Sequence, residues 1–426
     1  MNPKSFMLIA GEASGDLLAA ELVSALRTQS SILKPPFSPV FFGAGGAKMA
    51  EAGVDLAFDL TRLSVVGFSD VLKNYFKFRQ LFNQLLALAI ERKPDVVIGV
   101  DFGGFNLRFG HAIKEYVRNH RSVSTPWNPQ IIQFVSPQVW ASRPRRAHRL
   151  GADYDLLLSI FPFEKDWYAK RVPKLRVEFV GHPMIGRFTD DELRFTSREP
   201  ETASIANRKS QILLLPGSRT DELRRHLPVM LDALKIILDK LPAAKVKMVL
   251  PNDRLLEELI WILAARISTV VRSDQPIAAS LAGMVANDLA KQFLSNFEIQ
   301  TGNLPQALAE ADVAIASTGT VTMECALFSV PTVTLYKTSW FNYEIAKRIV
   351  TVKWATMPNI LADEEIFPEF IQNAATPENI SHAALELLQN ESRRTKIKSQ
   401  LAKVVTSLGA PGASPRAASA ILGLLR

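Results

Sequence analysis

Val96-Val97-Ile98-Gly99-Val100-Asp101 is a short apolar run, rich in β-branched residues, that stops on an acid. Its counterpart in the second half, Leu214-Leu215-Pro216-Gly217-Ser218-Arg219, stops on a glycine, a hydroxyl and a guanidinium. Runs without polar alternation are strands buried on both faces, the strands of a parallel sheet covered by helices. Ligands of such sheets bind beyond the carboxyl ends of the strands. The first run therefore offers a carboxylate to a ligand. The second offers backbone amides and positive charge suited to phosphate. A base in one half and an anion cradle in the other is a division of labour suited to moving a group off a nucleotide.

Outward from these two runs the pattern repeats. Similar stretches occupy residues 6–10, 40–43, 131–135 and 156–160, then 212–215, 246–250, 313–316 and 332–335, with helix-length segments between them. The order predicts an α/β protein of two doubly wound, Rossmann-like domains facing across a cleft. The first spans residues 1–188, a polar linker 189–210, and the second 211–340. Helices fill 341–426, part of them returning to the first domain. Residues 255–300 read as mostly helical.

A chain of 426 residues is too long for one core. Its 47% hydrophobic and 22% charged residues are those of an ordinary globular protein. One cysteine, Cys325, excludes an internal disulfide and fits a reducing cytoplasm. The apolar start is too short for a signal peptide, and no run approaches the ~20 residues of a membrane span. A net charge of +8 and a pI near 9.5 favour an anionic partner, either a nucleotide or a phospholipid surface. Nucleic acid ranks last, because the basic residues are dispersed and no zinc-finger or aromatic RNA-binding signature appears.

The polar clusters fall at strand ends. Gly11-Glu12-Ala13-Ser14-Gly15-Asp16 opens a helix expected to begin near Leu17, with Ser14 or Asp16 as its cap. Gly43-Ala44-Gly45-Gly46 imitates a dinucleotide fingerprint, but Lys48 replaces the third glycine and the turn follows the second strand, so NAD is rejected. Asp101 is the candidate general base, with a helix cap or an ion pair as its alternative role. Trp140, followed by Arg143, Arg145 and Arg146, suits stacking on a sugar and binding a phosphate, against a plain solvated basic face. His182 is read as structural. Gly217, Ser218 and Arg219 form one anion cradle, with Glu222 on the helix that follows. Ser317, Thr318, Gly319 and Thr320 form a second, and Glu324 one turn on is placed to accept from a ribose diol. Residues Val65 to Ile90 carry an apolar stripe wider than one buried face requires. Val65, Val66, Phe68, Val71, Leu72, Tyr75 and Phe76, with lysines interleaved, are candidates for an acyl-chain groove or an anionic membrane surface.

Taken together, the motifs GEASGD (11–16), VVGFSDVL (65–72), KPDVVIGVD (93–101), VSPQVWA (135–141), FPFE (161–164), VGHP (180–183), LLPGSR with Glu222, STGT with MECAL, and PNILA (358–362) resemble the lipid-A-disaccharide synthase family of GT-B-type glycosyltransferases. The resemblance covers essentially the whole chain. It implies transfer of 2,3-diacylglucosamine from UDP to 2,3-diacylglucosamine 1-phosphate by an enzyme peripheral to the inner membrane on its cytoplasmic side. It puts Asp101 in the role of the required acid, and Arg219, the 317–320 turn and Glu324 at the nucleotide. Substrate contacts are implied for Glu12, Ser14, Gly15, Asp16, Asn106, Ser136, Gln138, Trp140 and Asn359. No cofactor and no metal are expected, since no Asp-x-Asp motif adjoins the nucleotide turns. Three departures stand out, the first being a segment 255–300 longer than the family pattern implies. Gly103-Gly104 replaces the family's second acid, and Trp140-Ala141-Ser142 replaces Trp-Ala-Trp. The competing readings are a soluble UDP-sugar enzyme, such as a UDP-N-acetylglucosamine 2-epimerase, and a non-catalytic nucleotide-lipid sensor.

Overall fold

The computed structural model describes residues 4–33, 36–61, 71–120, 127–188, 210–271 and 297–425, with the backbone alone for 71–77 and 264–271. Backbone contacts divide the chain into two compact units, Met1–Arg187 with Leu408–Arg426, and Phe188–Ser407.

In the first unit the strands are β1 (Ser5–Ala10), β2 (Val40–Gly45), β3 (Asp55–Asp59), β4 (Val96–Val100), β5 (Gln130–Phe134), β6 (Leu156–Ser159) and β7 (Arg176–Phe179). They form one parallel sheet in the order β3-β2-β1-β4-β5-β6-β7. In the second unit β8 (Gln211–Leu215), β9 (Lys245–Leu250), β10 (Phe297–Thr301), β11 (Val313–Ser317), β12 (Thr332–Tyr336) and β13 (Glu369–Ile371) form another, in the order β10-β9-β8-β11-β12-β13. In each sheet the winding starts in the middle and reverses, which is the doubly wound plan. It opens a crevice where the order switches, between β1 and β4 and between β8 and β11.

The interior strands are buried along almost their whole length, β4 at every residue. Helices on both faces cover them through amphipathic stripes. The helix Gly103–Asn119 buries Asn106, Leu107, Phe109, Gly110 and Ile113. The helix Thr220–Lys240 does the same through Leu223, Leu227, Met230, Leu234 and Ile237. The last helix, Ala413–Gly423, belongs to the first unit and packs on the helix Ala13–Ser31. Ser419 Oγ donates to Gln29 Oε1 at 2.9 Å, Gln29 Nε2 to the Pro415 carbonyl at 2.8 Å, and Arg416 Nε to the Val180 carbonyl at 2.8 Å.

Of residues 255–300, those described form the helix Asp253–Val271 and, from Phe297, the strand β10; 272–296 lie outside the described residues. Among the described residues, no helix is long and apolar enough to cross a membrane.

Candidate active site

Asp101 follows the last residue of β4, at the switch point of the first sheet. Ala10 of β1 lies opposite Val100 and Val100 opposite Phe134, so the loops after β1, β4 and β5 meet at one edge. The chain leaves β4 through two successive left-handed residues, Asp101 (φ 49°) and Phe102 (φ 45°). Neither is glycine, and such backbone costs about 1–3 kcal/mol per residue, a cost that the surrounding structure must hold in place. Three bonds hold it. The Asp101 N–H donates to the Phe134 carbonyl at 2.8 Å, and the Asp101 carbonyl accepts from Asn106 Nδ2 at 2.9 Å and Gln133 Nε2 at 2.8 Å.

Gly99 is the condition for this arrangement. A Cβ there would lie 2.6 Å from Gln133 Oε1 and 2.8 Å from Asn106 Cβ, so only glycine lets both amides cross β4 to reach Asp101. Burial first, and then the negative charge of Glu12, hold the Asp101 carboxyl above the usual carboxylate range, while the Phe102 N–H offsets part of the rise. Such a carboxylate is a stronger base than an exposed one. Asp101 does not cap the next helix through its side chain: Phe102 is the N-cap residue and no side-chain cap is made.

The structure redistributes several residues expected to touch substrate. The helix after β1 begins at Ala13, with Glu12 as N-cap residue and no side-chain cap, so Ser14 and Asp16 do not cap it. Glu12 and Ser14 are exposed beside the site, and Gly15 packs close to the Val100 carbonyl and Asp101 Cβ. Asp16 is 4% exposed, and its carboxylate accepts from the backbone N–H groups of Gly46, Lys48 and Met49 at 2.7, 2.9 and 3.1 Å. It braces the turn after β2, and its oxygens are spent there. Asn106 is likewise buried and serves Asp101, as above. Trp140 is 5% exposed, with its indole N–H on Glu164, so its ring is not open to a sugar. Ser136 is 3% exposed and donates to Tyr168 Oη at 3.1 Å; Gln138 remains exposed. Close by, burial and the charges of Arg143, Arg108 and Arg149 hold the Arg146 guanidinium below its ordinary value. The four guanidinium groups concentrate positive charge there. Val65, Val66 and Phe68 lie outside the described residues. Val71, Leu72, Tyr75 and Phe76 fall where the backbone alone is described, in the helix Val71–Arg92.

In the second unit the turns after β8 and β11 adjoin, because Leu215 lies opposite Ala316. Gly217 is left-handed (φ 130°), and Ser218 N–H donates to Glu222 Oε2 at 2.9 Å. Arg219 lies 3.6 Å from Glu222 with its side chain 66% exposed. Glu222 thus occupies part of the cradle, in the manner of an anion. In the second turn the Thr318 N–H is committed to the Leu335 carbonyl at 3.1 Å, Ser317 is buried, and Gly319 and Thr320 are exposed. Glu324 is half-buried on the helix Val321–Leu327.

Asn359 is fully buried. Its oxygen accepts from Ile366 and Phe367 N–H, both at 2.9 Å, and its nitrogen donates to the Phe367 carbonyl and to Glu369, both at 2.8 Å. It holds the approach to β13 and has no group left for a substrate.

His226 was not singled out from the sequence. Its Nε2 accepts from Lys337 N–H at 3.0 Å, which puts the proton on Nδ1, facing the Pro216 carbonyl at 2.9 Å. Burial keeps it neutral, and it ties the turn after β8 to the end of β12.

A model of the lipid-A-disaccharide synthetase family matches residues 6–422. The lipid-A-disaccharide synthase of Syntrophus aciditrophicus (strain SB) is 32% identical over 429 residues, which cover 100% of this chain and 99% of that one. The chain belongs to the lipid-A-disaccharide synthase family. As a member of that family it is a glycosyltransferase. Among solved structures, the glycotransferase of kitacinnamycin superposes with a TM-score of 0.57 at 16% identity, covering 100% of both chains. The UDP-GlcNAc 2-epimerase of Neisseria meningitidis bound to UDP-GlcNAc reaches 0.52 at 11% identity, covering 98% of this chain and 100% of that one. At such identities the likeness shows the fold alone, here the GT-B type. That fold serves transferases and epimerases alike, so it is the family match that sets the reaction class.

Proposed function

We propose that the chain transfers 2,3-diacylglucosamine from UDP to the 6-hydroxyl of 2,3-diacylglucosamine 1-phosphate, inverting the anomeric carbon and releasing UDP. The observation that carries the mechanism is Asp101, a carboxylate raised by burial and by Glu12 on a left-handed backbone at the switch point of the first sheet. In this reading residues 1–188 receive the acceptor and its acyl chains, and 211–340 the nucleotide. Asp101 takes the hydroxyl proton as the new C–O bond forms and the bond from the anomeric carbon to the diphosphate breaks. Arg219, with its exposed guanidinium, meets the charge that builds on the diphosphate. Gly217, Ser218 and Glu222, with Ser317 to Thr320 and Glu324, frame the nucleotide; a bound phosphate displaces Glu222 from its place on Ser218. Arg108, Arg143, Arg146 and Arg149 supply the positive charge for the acceptor phosphate.

Peripheral attachment to the inner membrane follows from two double-acylated substrates. The exposed Trp340, Phe341 and Ile345, with Lys347 and Arg348 on the same helix, Trp340–Ile349, support it: aromatic and basic residues together suit an anionic lipid surface.

The test is a mixed-micelle assay with UDP-2,3-diacylglucosamine and 2,3-diacylglucosamine 1-phosphate, following disaccharide and UDP. Disaccharide formation that survives EDTA is the expected result. Turnover of a water-soluble UDP-sugar without detergent, and no disaccharide, would replace this reading with the soluble UDP-sugar enzyme. Activity lost in EDTA and restored by Mg²⁺ would show a required divalent ion.

A further inference from the structure

Glu164, third residue of the helix Pro162–Ala169, is fully buried; one of its oxygens reaches Trp140 on the short helix Val139–Ser142, and the other caps its own helix at Phe161. Oε1 accepts from the Trp140 indole N–H at 2.9 Å, and Oε2 from the Phe161 N–H at 3.3 Å. The Ser136 hydroxyl, which donates to Tyr168 Oη, adds a favourable interaction with the charged carboxyl. Next to it, the Tyr168 hydroxyl donates to the Pro137 carbonyl at 3.3 Å, and the Phe163 ring stands edge-on to Trp140 at 5.0 Å. The segment Ser136–Trp140 is thereby held down on the helix Pro162–Ala169 by bonds that an apolar side chain at 164 would not make. Burying a carboxylate is costly, and what it maintains here is a specific loop geometry.

That loop leads back to Asp101. It leaves β5 through Val135, a β-branched residue in the left-handed region (φ 66°), a position that needs outside support. Its Pro137 lies against Gly103, where a Cβ would come within 2.7 Å of the proline ring. Gly103 starts the helix immediately after the strained pair Asp101-Phe102. A shift of Pro137 is therefore a shift of the turn that presents the base.

We propose that Glu164 is a positioning residue for the transfer reaction, clamping the Ser136–Trp140 loop that backs the Asp101 turn. The proposal rests on Asp101 being the base. Because burial lifts the Glu164 carboxyl to about 7, the clamp changes charge in the neutral range. The groups that face it are the Trp140 indole and Ser136 hydroxyl from the loop, and Tyr168 from its own helix, whose Lys165 and Asp166 are exposed. From the 180–187 segment comes His182, packed on Phe161 and held down to about 4 by burial and by Arg187, hence neutral here.

The experiment compares kcat, and KM for each substrate, between pH 5.5 and 8.5 for wild type, Glu164→Gln, Glu164→Ala, Trp140→Phe, the Glu164→Ala/Trp140→Phe pair, and Asp101→Asn. Glu164→Ala is expected to lower kcat at least about tenfold with KM within about threefold, a loss of alignment rather than of binding. Glu164→Gln, which keeps an acceptor for the indole, should recover most of that loss and remove an inflection near neutral pH from the wild-type profile. Trp140→Phe should reproduce the kcat loss, with the pair no worse than either single change. Wild-type kcat in Glu164→Ala, additive losses in the pair, or an unchanged inflection in Glu164→Gln would each overturn the clamp. If Glu164→Ala does not fold, Trp140→Phe and Glu164→Gln decide. Full turnover by Asp101→Asn is the separate outcome that removes the base, and with it the reading on which the clamp depends.

Discussion

At the scale of single residues, the site spends stability on geometry. Asp101 and Phe102 keep a backbone that only the Asn106 and Gln133 amides and the Phe134 carbonyl make tenable. Glu164 shows the same in its titration. Its carboxyl stands at about 7 in the fold against 4.5 when free, so between these values the native state holds a proton that the unfolded chain has released. Its contribution to stability therefore falls as pH rises through that window, by up to about 1.4 kcal/mol per pH unit. His182, held down to about 4, acts oppositely and favours the fold as pH rises toward 6.5. The difference between wild type and Glu164→Gln isolates the acid. Urea melts should show the variant gaining on wild type from about pH 4.5 to 7 and level outside that range. A difference that does not change with pH would mean that Glu164 stays ionised throughout.

At the scale of elements, legibility followed burial. All nine strands read from the sequence lie in the interior of the two sheets or end on the interior at a switch point. Three strands with no sequence signal, β3, β10 and β13, and β7, legible only by the strand end that Val180-Gly181-His182-Pro183 marks, are the edges of the two sheets. An edge strand has one neighbour and a wet side, so it needs no continuous apolar run. Asp55-Leu56-Ala57-Phe58-Asp59 has none of its residues fully buried, and β13 is three half-buried residues. The same reason explains which site residues could be read. Asp101 and the glycine turns are announced by their place after a strand, whereas Asp16, Trp140 and Asn359 look like ligands in sequence because their partners, 7 to 33 residues away, are invisible in a motif. Glu164 and His226 went unnoticed as working residues for the same reason.

Two predictions belong to these elements. Gly99→Ala in β4 should push aside Gln133 and Asn106, costing about 1–3 kcal/mol and lowering kcat by roughly 10- to 100-fold. Urea melts and turnover check it, and an unimpaired variant would dissociate the two amides from the site. His226→Ala should leave the Lys337 N–H and the Pro216 carbonyl without their partner, at about 1–3 kcal/mol each, and weaken UDP at least about tenfold by calorimetry. Unchanged UDP affinity would detach the turn after β8 from the nucleotide.

At the scale of the whole molecule, the chain returns to its first unit at the end. Leu408, Ile421 and Leu422 are buried there, each worth about 1.5–3 kcal/mol. Deleting 408–426 should therefore cost the first unit about 5 kcal/mol or more, comparable to the total stability of an ordinary domain. Limited proteolysis should then cut the first unit while Phe188–Ser407 resists and still binds UDP. Equal resistance of both units would show that the return segment is dispensable.

Everything in the proposed mechanism turns on Asp101 being the base. The most direct test is single-turnover disaccharide formation by wild type and Asp101→Asn in the same micelles, with UDP binding measured on both. Intact UDP binding and a rate lower by on the order of 10²-fold or more are expected of the variant. A near-normal rate from Asp101→Asn would contradict the role of Asp101 as base.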